Sequence, residues 1–455
     1  MITDLRTALE FLSSIPGQLV STEAQVDPVA ELAGVYKLVG AGTPLAPPTK
    51  TGPAMLFKNV KGFSIPVVVG VLASRLRTAL LLNTTVERLL FTLLDALDHP
   101  SAPVIVPHQS APCQEVVIRP PFDLEKLIPA PTHTLLDAGS YFNMGLVRAE
   151  DPETGASDVA IHRLCLQGPD RLSIYFVPGR HIDQFRMKAE RAGRALPVSV
   201  SMGLDPAIYL AACFEPPTTP LGFDELSIAG GLRGRPVELV DCVSVAAKAI
   251  ARAEIVLEGE ILPGERIRED SRTATGYAMP EFAGYMGKAQ PELPVLRVTA
   301  VTHRSRPILQ TIIGPAEEHT NLVGIPTEAS ILRLAEESMP GRLSNVYCHS
   351  SGGGRYLAIL QIQKRALGDE GCPIQAASIA FKAFPGLKQL ILVDEDVDIY
   401  DSNDVLWALA TRYQTATEAT AGKTILDCTV PFDQKDRFRR AEFLSVDLAK
   451  YPLNG

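Results

Sequence analysis

Missing from this sequence are the paired, clustered cysteines of a disulfide framework or a zinc site. Its seven cysteines (Cys113, Cys165, Cys213, Cys242, Cys348, Cys372 and Cys428) are odd in number, widely spaced and form no Cys-x-x-Cys. That pattern suits the reduced thiols of a cytoplasmic protein. No run of lysines and arginines is present and the net charge is −9, so no nucleic-acid partner is expected. Long apolar runs are absent as well. SIPVVVGVLA at 64–73 is too short, and too interrupted by glycine and proline, to span a bilayer, so no membrane partner is expected. Asp4, Arg6 and Glu10 make the first residues unlike a signal peptide. Aromatic residues are only 6%, yet 46% of residues are apolar and 21% charged, which is the composition of a folded protein with a large core. Its 455 residues suggest about two or three domains.

The patterning divides the chain into three stretches and predicts a multidomain α/β (α+β) protein. Residues 1–112 read as an α/β domain. Leu5, Leu9 and Leu12 have helical spacing, VERLLFTLLDAL at 86–97 is a second helix, and AMLFKNV and IPVVVGVLA are strand-like. Residues 113–315 are rich in short β-branched segments, among them ASDVAIHRLCLQ, VSVSMGL, AEIVLEGEIL and PVLRVTAVTH, which predict a barrel or sandwich. HIDQFRMKAERAG is an inserted helix stopped at Gly193. Residues 316–455 return to α/β, with helices at EASILRLAEESM, GCPIQAASIAFKAF and DVLWALATRYQ, the last with Ser402 or Asn403 as N-cap.

Several polar residues could carry chemistry. Asp158, His181 and Glu225 offer two carboxylates and an imidazole, a donor set for Mn²⁺ or Mg²⁺, although their spacing alone equally describes unrelated loop residues. Arg163, in an apolar strand, calls for an anionic partner, and strict alternation puts it on the opposite face from Asp158 unless Asp158 lies at the strand entrance. His162 reads as a hydrogen-bonded, partly buried imidazole. Glu281 lies in the loop Gly276–Gly284 among uncharged residues, where apolar surroundings would favour a proton-holding acid, the alternative being a loop Glu that reaches solvent, the more common fate of Glu. Glu317, Glu318 and His319 in GPAEEHT read as an exposed turn, and the glycines of HSSGGGR at 349–355 as a ligand-approach loop or a plain turn. The acidic stretch at 394–404 could bind a metal as a hydrolase site, or be a solvated turn with capping residues.

Taken in order along the chain, SDVAIHR, VPGRH, DELSIAGGLRG, PEFAGY and LILVDEDVDIYDSNDVLWALATR resemble the signature segments of the UbiD family of prenylated-FMN-dependent decarboxylases. The resemblance covers nearly the whole chain. It implies a central split β-barrel at 113–315 that binds prenylated FMN, and a C-terminal domain at 316–455 through which a homodimer or larger oligomer forms. It implies that Asp158, His181 and Glu225 hold Mn²⁺ (or Mg²⁺), and that Asp158, Val159, Ala160, Ile161, His162, Arg163, Arg180, His181, Glu225 and Lys388 contact the cofactor. Val159, Ala211, Ala212 and Phe214, with Glu225, match a K⁺ site. Glu281 matches the proton donor and Arg163 the arginine beside the flavin. His319 and Met279 are implied in the substrate pocket.

The implied reaction is a reversible, non-oxidative decarboxylation of an aromatic or heteroaromatic (α,β-unsaturated) acid. The implied partners are that small acid, CO₂ and a flavin prenyltransferase that supplies the cofactor. The sequence departs from the family pattern at Asp158, usually Asn, and at Gly276, where many members have a second acid. Gly276 suggests an incomplete Glu-Arg-Glu network, and both departures keep open the alternative of a cofactor-binding subunit without decarboxylase activity of its own.

Overall fold

The computed structural model describes residues 2–42, 49–281, 284–413, 416–420, 422–441 and 444–445. Its centre is a closed six-stranded antiparallel barrel. The strand Tyr141–Glu150 pairs with Ser157–Leu166, which pairs with Arg171–Ile174, then Leu293–His303, then Ile255–Ile267, then Leu196–Met202, which returns to Tyr141–Glu150. Closure leaves no free edge among these strands. Val116–Ile118 adds a short strand alongside Leu293–His303. Alternate residues such as Val147, Leu164, Leu172, Val198, Val200, Leu257, Leu296 and Val298 share one buried apolar cluster. The inserted helix, His181–Arg191, contributes Ile182, Phe185 and Ala189 to that cluster, which fixes the helix's first turn against the barrel.

One irregularity in the barrel bears on function. Phe142 faces Leu164 and Gly145 faces His162, so Asn143 and Met144 together oppose the single residue Arg163. This β-bulge bends the strand and re-aims side chains at that point.

On the N-terminal side, Leu19–Thr22, Ala54–Phe57, Val67–Val69 and Leu309–Gln310 form a sheet with helices Leu5–Ser13, Glu31–Gly40, Arg75–Leu81 and Leu89–Asp98 around it. The fourth strand comes from far along the chain and ties this sheet to the barrel's exit. On the C-terminal side, a five-stranded mixed sheet runs in the order Leu343–Cys348, Leu357–Ile362, Gln389–Asp394, Lys423–Asp427, Ala416–Thr420, with helices Glu317–Ser338, Cys372–Ala383 and Ser402–Arg412. Asp401, rather than Ser402 or Asn403, caps the last helix, accepting from the Asn403 N–H. All seven cysteines are free thiols. Among the described residues, no helix is long and apolar enough to cross a membrane.

The helix Glu317–Ser338 joins the two ends of the molecule, and its start corrects the expectation of an exposed turn at 314–320. Glu318 is 1% exposed and accepts 2.8 Å hydrogen bonds from the backbone N–H groups of Gly70 and Leu72, while the Asn321 side-chain amide donates to the Leu72 carbonyl. Further along, Glu328 pairs with Arg75 and accepts from the Cys348 N–H. The acids lie in the helix because the N-terminal domain offers buried backbone donors that need acceptors. The loop at 349–355 packs on the same helix. A side chain at Gly354 would meet the Thr320 carbonyl at 2.5 Å, so a glycine here permits helix-to-loop contact rather than ligand approach.

Burial pushes the Glu318 carboxyl up to about 7 despite these two donors. Glu318→Gln keeps the shape but turns an NH₂ group toward one of the two N–H donors. It is expected to cost about 1–3 kcal/mol, read as a lower urea midpoint, because one buried donor loses its acceptor.

Candidate active site

Three elements deliver the carboxylate–imidazole group. Asp158 is the second residue of the strand Ser157–Leu166, at its entrance, where strict alternation with Arg163 need not hold. His181 opens its helix just after Arg180. Glu225 directly precedes the helix Leu226–Arg233, in a turn where Asp224 accepts from the Leu226 N–H. One ligand atom from each of Asp158, His181 and Glu225 lies within 4.8 Å of the others. His181 Nδ1 is 2.9 Å from Asp158 Oδ1. Glu225 is 2% exposed and its Oε2 has no hydrogen-bond partner. Burial, reinforced by the charge of Asp158, pushes the Glu225 carboxyl up to about 9. Two buried carboxylates beside one imidazole are costly without a cation, and a divalent ion with oxygen and nitrogen ligands removes that cost. Nearby, Val159, Ala211, Ala212 and Phe214 share one apolar cluster, where the helix Pro206–Ala211 ends. Arg180 pairs with Glu215 at 2.6 Å.

Five residues along the same strand, about 17 Å at the usual rise, Arg163 is held between two carboxylates. Its Nε and Nη2 donate to the two oxygens of Glu269 at 2.9 and 3.0 Å, and its Nη1 donates to Glu281. The guanidinium lies 4.2 Å from the Tyr175 ring centroid. Glu269 is 1% exposed and accepts two further bonds, from the Tyr141 hydroxyl at 3.1 Å and the Gln290 N–H at 3.0 Å. The surrounding carboxylates outweigh burial and raise the Arg163 pKa above the ordinary guanidinium value.

This arrangement corrects the inference drawn from Gly276. That position carries no acid, but Glu269 supplies the second carboxylate from seven residues upstream. Sequence reasoning passed over Glu269 because it lies in the charged run Arg-Ile-Arg-Glu-Asp, which resembles a solvated turn. Only the barrel's closure brings it to Arg163.

Glu281 sits at the tip of a small hairpin, Tyr277–Pro280 with Met286–Lys288. Its N–H donates to the Tyr285 carbonyl at 2.7 Å, and the Gly284 N–H donates to its carbonyl. Its side chain is 41% exposed and is held in an ion pair, which differs from the apolar surroundings expected from its neighbours in sequence. A side chain at Gly287 would meet Glu281 Cγ at 2.5 Å, so this glycine lets Glu281 fold back over the hairpin toward Arg163. Met279 packs on Ala138, Tyr141 and Cys165 beneath it. Phe282, part of the PEFAGY resemblance, lies outside the described residues.

The remaining candidates are more dispersed. His162 is buried, with Nδ1 3.0 Å from the Tyr175 carbonyl and its ring edge-on to Phe176, and burial lowers its pKa to about 4. His319, in the first turn of its helix, is lowered to about 4 by burial and by the charge of Arg355. Lys388 stands exposed ahead of the strand Gln389–Asp394, its amine 4.1 Å from the Tyr356 ring centroid. The acidic stretch at 394–404 is partly paired by arginines that lie beyond it in the chain. Arg412 binds Asp396 through two hydrogen bonds and Arg440 binds Asp404 through two more, with the Trp407 ring in contact with both guanidiniums. That leaves it a structural cluster rather than a hydrolase site. Asp158, His181 and Glu225 are the one group of this kind among the described residues able to hold a metal ion.

The barrel with its flanking domains is matched by known proteins. Family models described as the N-terminal, Rift-related and C-terminal domains of 3-octaprenyl-4-hydroxybenzoate carboxy-lyase match residues 14–97, 104–316 and 320–427. The chain belongs to the UbiD family and is a carboxy-lyase. It is 46% identical to the gallate decarboxylase of Lactiplantibacillus plantarum, over 98% of each chain. It superposes on the 3,4-dihydroxybenzoic acid decarboxylase of Enterobacter cloacae with a TM-score of 0.94 and 53% identity, covering 99% of each chain. On the UbiD-class enzyme HmfF of Pelotomaculum thermopropionicum, solved with prFMN, the TM-score is 0.89 at 37% identity, covering 99% of this chain and 100% of that one.

Four outcomes are expected. Adding Mn²⁺ to metal-free protein should raise its melting temperature, and Glu225→Gln should weaken Mn²⁺ binding by at least about 10-fold in calorimetry. Glu225 is raised in the folded state, so its ionisation removes stability as pH climbs from 4.5 toward about 9, and the Gln variant should melt higher than wild type in metal-free alkaline buffer. Separately, Gly287→Ala should push Glu281 off Arg163 and lower kcat by about 10-fold or more, with the amount of bound cofactor unchanged, because a small misplacement of a reacting group is costly.

Proposed function

We propose that this protein is a prenylated-FMN-dependent decarboxylase of a ring-hydroxylated aromatic acid, with CO₂ and the decarboxylated ring as products. The observation that carries this reading is the Glu269–Arg163–Glu281 arrangement, whose arginine lies on the same strand as Asp158. Gallate decarboxylase and 3,4-dihydroxybenzoic acid decarboxylase, at 46% and 53% identity, supply the substrate class.

The residues present fit the cofactor and its metal. The unpartnered Oε2 of Glu225 is an orphaned buried acceptor that a cation would satisfy. Asp158, His181 and Glu225 would hold Mn²⁺ (or Mg²⁺) and through it a phosphate, with the start of the helix His181–Arg191 and Arg180 adding positive character. Val159, Ala211, Ala212 and Phe214 would offer carbonyl oxygens to K⁺. Val159, Ala160, Ile161 and His162 would line the cofactor along the strand, and Lys388 would add a phosphate contact from the C-terminal sheet. When bound, prenylated FMN supplies the electron sink for carbon–carbon bond cleavage.

The chain's own groups do the rest. Arg163 has five N–H donors, of which Glu269 and Glu281 engage three, so two remain for the substrate carboxylate and the flavin. Glu269, fully buried and fully bonded, orients Arg163. Glu281, on the accessible side, relays a proton taken from solvent. As CO₂ leaves, Glu281 delivers that proton to the ring carbon and is reprotonated from solvent. Met279 and His319 bound the substrate space, and His319, lowered to about 4, is neutral at physiological pH and able to accept a hydrogen bond. Supply of the cofactor by a flavin prenyltransferase and assembly as a homodimer through 316–455 complete the reading. The alternative of a subunit without its own activity loses its main support with Glu269 in place of the absent acid at Gly276.

Glu281→Gln in protein co-expressed with a flavin prenyltransferase tests the reading. Expected is retained cofactor absorbance and mass with decarboxylation of 3,4-dihydroxybenzoate reduced by about 100-fold or more. Wild-type turnover in this variant would remove Glu281 from its role, and a wild-type protein without bound prenylated flavin would remove the reading itself.

A further inference from the structure

Beside Arg163 lies a polar group that the decarboxylation chemistry above leaves unused. At the bulge, Asn143 opposes Arg163 across the ladder. Two residues earlier on the same strand, Tyr141 directs its hydroxyl to Glu269, so this side of the strand is the one that carries the Arg163 cluster. Asn143 is 6% exposed, and its Oδ1 has no hydrogen-bond partner. A buried amide oxygen left without a donor is costly, and proteins keep such groups where a ligand completes them.

The amide's orientation is set from behind. The Asp137 carboxylate accepts from the His133 N–H, the Thr134 N–H and the Thr134 hydroxyl, and lies 3.0 Å from His133 Nδ1. With the imidazole proton on Nδ1, facing the Asp137 carboxylate, Nε2 is left as an acceptor. Nε2 is 3.1 Å from Asn143 Nδ2, which donates to it, and 3.4 Å from the Ile312 carbonyl. His133 and Asp137 are 8% and 3% exposed. The chain Asp137–His133–Asn143 therefore consumes the amide's donor and presents its oxygen.

We infer that Asn143 is a specificity-determining residue that accepts a hydrogen bond from a ring hydroxyl of the aromatic acid, with His133 and Asp137 as positioning residues that fix its amide. The inference deepens the proposed function and rests on it. Arg163 would take the carboxylate and Asn143 a hydroxyl of the same ring. An acid without that hydroxyl would leave Oδ1 buried and unpaired, which is how a site built to bond a hydroxyl rejects the analogue that lacks it. A planar N–H on the flavin is the other donor with the same chemistry.

The test is a binding measurement on protein carrying unmodified FMN and Mn²⁺, in which decarboxylation does not intervene. Dissociation constants are measured by calorimetry for 3,4-dihydroxybenzoate and for unsubstituted benzoate. Wild type is expected to prefer the hydroxylated acid by about 10–100-fold, the scale of one buried hydrogen bond. Asn143→Leu should bring the ratio to within about 3-fold while leaving benzoate affinity and FMN content unchanged. Asn143→Gln, which keeps both the amide donor for His133 and the acceptor, should keep a preference for the hydroxylated acid, and serves as the reporter should the Leu variant not fold. His133→Gln should shrink the ratio without a matching fall in FMN content, which a merely structural role would not do. A full preference in Asn143→Leu, or its complete loss in Asn143→Gln, overturns the inference. Loss of FMN with the preference intact assigns Asn143 to the flavin and overturns it too. If wild-type protein binds neither acid, the proposed function fails and not this assignment alone.

Discussion

The buried ion pair between Glu269 and Arg163 is the constraint around which the site is arranged. An arginine in a barrel strand is tolerable only when its donors are met, and Glu269 meets two of them from a position itself bonded by Tyr141 and Gln290. The fork geometry fixes the guanidinium plane, so its remaining donors point in set directions. Closure of the barrel makes this possible. Glu269 follows the strand Ile255–Ile267, which pairs with Leu293–His303, which in turn pairs with Arg171–Ile174 beside the Arg163 strand. Residues more than a hundred positions apart meet because the sheet returns on itself.

Much of this was legible in the sequence, at the level where local pattern and chemistry agree. The strand-rich middle and the α/β ends follow from period-two and helical spacing, and the inserted helix at 181–191 ends where Gly193 stops it. Asp158, His181 and Glu225 were readable as a donor set and do converge. His162 is the hydrogen-bonded, buried imidazole its neighbours suggested. What could not be read depends on tertiary pairing. Glu269 looks like one charge among five. Glu318 looks exposed because nothing nearby in sequence reveals the Gly70 and Leu72 donors it serves. Glu281 looks apolar in its setting because its partner lies 118 residues away. The acidic run at 394–404 looks open because Arg440 is distant in sequence from Asp404.

The two polar groups on the Ser157–Leu166 strand differ in a way that suits one elongated, phosphate-bearing cofactor. At the entrance, carboxylates crowd together and want a cation. Farther along, a cation is wrapped in carboxylates with donors to spare. A rigid strand holds the two at fixed separation and orientation, which a loop would not do. The helix Glu317–Ser338 serves a similar purpose between domains. Its buried acids bind the N-terminal backbone while its other end packs on the C-terminal sheet, so His319 is placed by both.

The two carboxylates on Arg163 are carried by very different kinds of structure. Glu269 lies in the turn that directly follows the barrel strand Ile255–Ile267. Glu281 rides on a two-stranded hairpin attached to the barrel through few contacts, among them Ala138 N–H to the Ala278 carbonyl and Gly276 N–H to Asp270. Such an appendage can drift in length and composition without unsettling the core. Natural variation, or a designer's library, can therefore explore new chemistry at the tip while inheriting the arginine's orientation intact.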